Sequence, residues 1–106
     1  MLKDLVLKLR YLGVIRQTDY TEYGFRIENE DKSYRIVVLT IKDALFQQSE
    51  LMIQEAPDLC YQKVLTGLDN ETPESPIPSY IPITETDIVQ YRDLHPTAKQ
   101  RKTRIT

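Results

Sequence analysis

The chain has 106 residues, of which 41% are apolar and 28% charged, and its formal net charge is −2. A chain of this length closes a single core, so a two-lobed enzyme with a cleft between domains is excluded. One cysteine, Cys60, and one histidine, His95, allow no internal disulfide and supply too few soft ligands for a zinc cluster. A reducing, cytoplasmic setting is expected. Met1–Leu5 carries an early acid and no leader-like cleavage pattern, and no apolar run reaches the ~20 residues of a membrane span.

In chain order, Leu2, Leu5, Val6, Leu9 and Leu12 recur at helical spacing, which predicts a helix over 2–12 with Gly13 as its cap. The alternation of Leu5, Leu7 and Leu9 supports a strand instead, but over fewer apolar positions. Tyr23, Phe25 and Ile27 then alternate with polar residues, and after Asn29-Glu30-Asp31-Lys32 the β-branched run Tyr34–Leu39 resumes, a β-hairpin pattern. Placing Phe25 opposite Ile36 and Ile27 opposite Tyr34 pairs residues whose numbers add to 61, and Arg26 then faces Arg35. The second strand, apolar on both sides, is expected to be the more central.

Thr40 and Asp43 have capping-box spacing, predicting a short helix to Gln48. Leu51-Met52-Ile53 is a candidate third strand. Pro57 and Asp58 suit a first helical turn, and Leu59, Cys60, Val64, Leu65 and Leu68 form the stripe of a helix that Gly67 would close. From Val64 to Tyr91 there is no Lys or Arg. Within this stretch, residues 69–82 hold Pro73, Pro76, Pro78 and Pro82 and form an acidic, extended connector. Thr84 and Asp87 make a second capping box, Ile83 and Ile88 stand at staple spacing, and a last helix to Asp93 follows. With four of the fourteen cations in residues 95–106 and all sixteen acids before them, residues 1–94 carry a net −6. The tail is expected to be disordered alone.

Chemistry is sparse. Cys60 lies on an apolar stripe and is expected to be core, His95 ends a helix, and Glu28, Glu30 and Asp31 sit at a solvated hairpin tip. No glycine-rich phosphate loop occurs. The register above puts Tyr23 and Tyr34 on the packed face, away from Arg26 and Arg35, so core packing is preferred to base stacking for them. Two opposed arginines on a sheet need an anion or a carboxylate between them. Arg26 and Arg35 are therefore candidate anion or partner contacts, with local pairing to Glu28, Glu71 or Glu74 as the structural alternative. Lys99, Arg101, Lys102 and Arg104 of the tail are candidate phosphate contacts.

The expected architecture is a single α+β domain over 1–94, in which a β-hairpin, extendable to a three-stranded antiparallel sheet, is covered by three to four short helices. The expected function is a non-enzymatic cytoplasmic protein–protein interaction or accessory module, with another protein or a second copy as partner. No catalytic residue, cofactor, metal or membrane contact is expected. The alternative is a nucleic-acid accessory protein that uses the basic tail.

Overall fold

A computed structural model describes residues 6–49 and 51–95, with side chains from Lys8 onward. The chain folds as a small α+β unit around a mixed four-stranded sheet in the order β1-β2-β3-β4. The strands are β1 (Val6–Arg16), β2 (Tyr20–Asn29), β3 (Tyr34–Lys42) and β4 (Tyr80–Pro82), and the helices are α1 (Asp43–Gln48), α2 (Ala56–Asp69) and α3 (Glu85–Leu94). The first three strands form an antiparallel meander, and β4 returns parallel to β3.

From Val6 the first element is a strand where helical spacing predicts a helix over 2–12; residues 2–5 of that expectation lie outside the described residues. Its backbone pairs with β2 along its length, and Leu9 and Tyr11 lean on the core, with the Tyr11 and Phe25 ring centroids 5.3 Å apart. Pairing with a neighbour overrides local periodicity, and Val14 and Ile15, β-branched and off the helical stripe, suit the extended form. The ladder is irregular between Val6 and Lys8 and again between Tyr11 and Gly13. At the second irregularity Gly13 has φ +133°, a conformation that L side chains rarely adopt, and Leu12 is the extra residue of a bulge.

The hairpin is one residue out of the expected register. Phe25 stands opposite Val37, Arg26 opposite Ile36 and Ile27 opposite Arg35, so paired numbers add to 62. Because β3 is apolar on both faces its pattern does not select a register, and the turn decides. Asn29 accepts from the Lys32 N–H and donates to the Ser33 carbonyl, and Lys32 sits at φ 72°. The covered face is consequently Tyr23, Phe25, Ile27, Val37, Leu39 and Ile41, all essentially inaccessible to solvent. Tyr34, Ile36 and Val38 turn to the other face. Arg26 and Arg35 lie on opposite faces and do not oppose each other. Nor is β3 the more central strand, since β2 and β3 are both interior.

The helices all pack on the covered face. Lys42 precedes α1 without a side-chain cap, because Thr40 remains in β3, where its carbonyl accepts the Ile83 N–H at 2.8 Å. Leu51 is buried, and Ile53–Glu55 is a single 3₁₀ turn, not a third strand. Helix α2 runs through Gly67 to an Asn70 cap. A Cβ at Gly67 would lie 2.8 Å from Ile77 Cδ1, so the glycine admits the connector closely instead of ending the helix. The Thr84–Asp87 capping box forms in both directions and starts α3, with Ile83 and Ile88 buried around it.

Candidate interaction surface

The two hairpin arginines have separate surroundings. The Arg35 side chain reaches the rim of the covered face and donates to both Glu71 carboxylate oxygens, at 2.6 and 2.7 Å, while Glu71 also accepts the Ile77 N–H. This two-pronged pair clamps the connector beside β3 and holds the Glu71 carboxyl below its usual range, chiefly through the Arg35 bonds. Glu74 makes no ion pair among the described residues. Arg26, on the open face, has its guanidinium 3.9 Å from the Tyr34 ring centroid and its Nε 3.3 Å from Glu28, a charge contact without hydrogen-bond geometry. The tail cations Lys99, Arg101, Lys102 and Arg104 lie outside the described residues.

No described element lies over the open face. Register orders its side chains in rows across the sheet: Lys8, Glu28 and Tyr34, then Arg10, Arg26 and Ile36, then Leu12, Gly24, Val38 and Tyr80, then Ile15, Glu22 and Thr40. Leu12 reaches over Gly24, lying 3.7 Å from where a Cβ would stand, so the missing side chain is replaced by a neighbour's. The Tyr80 hydroxyl donates to Glu22 at 2.8 Å. Large apolar surface remains in water here, with Leu12 51%, Ile15 61% and Tyr34 56% exposed. Tyr34 thus shares a face with Arg26, contrary to the expectation that it packs in the core.

The surface continues around the sheet's free side. β1 is the outermost strand, 11 residues long, and the helical layer stops short of its second half, so that Val14, on the covered face, is still 55% exposed. A long edge strand with apolar groups on both faces is a template for further pairing. β1 bears Lys8, Arg10 and Arg16 and no acid. Arg16 approaches Asp43 at 3.9 Å, whereas Lys8 and Arg10 make no ion pair among the described residues. Arg10 stands directly opposite Arg26, which is the like-charge pair of this sheet. The run of cations was legible in the sequence, but its meaning required the strand.

Elsewhere the molecule offers less chemistry. Cys60 is fully buried and its thiol is pushed up to about 12 by burial, which leaves it protonated and unreactive at neutral pH. His95 caps α3 and stacks on Tyr91 at 4.4 Å, with Nδ1 3.1 Å from the Tyr91 carbonyl. A shallow groove of about 400 Å³ runs between α2 and the connector past Lys63, Gly67 and Ile77, and one of about 160 Å³ lies between α2 and α3. Lys63, which lines both grooves, is paired with Asp87 at 2.7 Å. Among the described residues no three acids, cysteines or histidines group as metal ligands, and no helix is long and apolar enough to cross a membrane. Comparison with protein-family models, curated proteins and solved structures finds no match.

Proposed function

We propose that the chain is a non-enzymatic protein–protein interaction module of the cytoplasm, receiving its partner on the open sheet face and along β1. The observation that carries this reading is the set of exposed apolar side chains that the open face presents, Leu12, Ile15, Tyr34 and Ile36, whose solvation is costly unless another surface covers them. Cys60, buried in the core with its thiol pushed up by burial, is not available as a nucleophile. The test is affinity capture by the full chain from nuclease-treated lysate, compared with Ile36→Glu and Ile15→Glu. Both positions are solvent-exposed, so circular dichroism should be unchanged while the captured protein is lost. Equal capture by all three chains would overturn the reading.

One observation favours a second reading. Tyr34 and Tyr80 share the open face with Arg10 and Arg26, the combination of rings and cations that single-stranded nucleic acid uses. Glu22 and Glu28 on the same face oppose it. Under this reading binding falls steeply with salt, disappears on nuclease treatment and weakens when residues 97–106, with Lys99, Arg101, Lys102 and Arg104, are removed.

A further inference from the structure

We infer that the partner segment received at the β1 edge is an extended strand from another protein, in which acidic side chains alternate with apolar ones; the inference rests on the interaction-module reading. Among the described residues nothing pairs with the outer edge of β1. Between its two irregularities the regular stretch Lys8–Tyr11 points Lys8 and Arg10 to the open face and Leu9 and Tyr11 to the covered one. An added strand presents every second residue to one face. Residues directly opposite Lys8 and Arg10 therefore meet two cations that make no ion pair among the described residues, Arg10 standing across from Arg26 and Lys8 across from Glu28. Residues opposite Leu9 and Tyr11 extend the apolar layer, and beyond the bulge the strand would cover Leu12, Val14 and Ile15.

Charge also selects between occupants. A second copy would set one β1 against another, doubling the cations on adjoining strands with no acid between them. The chain's own residues 95–106 carry four cations and no acid, and are repelled in the same way. Its acidic connector is held elsewhere, by Glu71 on Arg35 and by Tyr80–Pro82 on β3. Lysine-bearing, bulged edges resist pairing with their own kind. The same cations admit an acidic strand.

The probe is a labelled nine-residue peptide alternating Glu with Val, set against a twin with Lys for Glu and titrated by fluorescence anisotropy against the full chain. The Glu peptide should bind at least tenfold more tightly than its twin, weaken with salt and slow amide exchange within residues 8–15. Arg10→Glu, which replaces a like-charge pair with an attractive one and so keeps the fold, should lower that affinity at least tenfold. Equal binding of the twins, binding of neither, preference for a single-stranded oligonucleotide, or a sedimenting dimer with β1 amides already protected would each overturn the inference. If neither peptide binds while Ile36→Glu still releases the captured protein, the strand inference falls and the interaction-module reading stands. If Ile36→Glu and Ile15→Glu also capture normally, both fall.

Discussion

At the scale of single residues, the arginines show how position sets worth. Arg10 and Arg26 oppose each other on an exposed face, and like charges directly across a strand pair destabilise it. Arg10→Glu should therefore raise stability by about 0.5 kcal/mol, read as a higher melting temperature; a fall would mean that the guanidiniums avoid one another in solution. Arg35 is the opposite case. Removing its partner by Glu71→Ala deletes two charge-assisted bonds and leaves the Ile77 N–H without its acceptor, which should cost about 1–3 kcal/mol in denaturant unfolding. Cys60, buried with its thiol pushed up, should react with a thiol reagent only after unfolding, and rapid labelling of the native chain would contradict that packing.

Elements were legible where the signal is local. The Thr84–Asp87 box forms as its spacing requires, and α3 is then fixed by Arg92 on Glu55, Lys63 on Asp87 and the Tyr91 hydroxyl on Asp58. Thr84→Ala should cost about 1 kcal/mol, seen in the same unfolding midpoint. The two strands of the hairpin were equally legible, since alternation and a polar tip are properties of adjacent residues. The Thr40–Asp43 box, of the same spacing, does not form because Thr40 stays in β3, and three features of the sheet were not legible either. β1 has leucines at both helical and strand spacing, and only the edge offered by β2 selects between them. The register depends on how Asn29–Ser33 turns, and an error of one residue exchanged the faces of Tyr34 and Arg35. β4 is three residues long and contains a proline, and its pairing partner is far away in sequence. The candidate surface inherited these gaps: Arg26 was visible as an unmatched charge, but Arg10, Leu12, Ile15 and Tyr34 became surface residues only once β1 and the register were in place. At the β1 bulge, Gly13→Ala places a side chain at positive φ and should cost about 1–2 kcal/mol, lowering the melting temperature.

For the whole molecule, stability should depend on acid through carboxylates that join distant parts of the chain. Arg35 lowers the Glu71 pKa and Arg92 lowers that of Glu55, in each case from an ordinary value of 4.5. A carboxyl whose folded pKa lies below its unfolded one binds protons more readily when unfolded, so its stabilising contribution is complete above 4.5 and is lost as pH falls through the folded value. Unfolding free energy should thus decline below about pH 4.5, and Glu71→Gln should make that decline shallower; an unchanged acid slope would remove Glu71 from the account. The parallel return of β4 bears on how the chain acquires its shape. The meander forms between neighbours, whereas Val38 and Tyr80 meet across about forty intervening residues, a closure that delays the contact until the helices have condensed. The outer flank of β3 at Val38–Thr40 is then paired late, so during synthesis a nascent chain leaves that flank open beside the outer edge of β1, which among the described residues is unpaired in the finished fold as well.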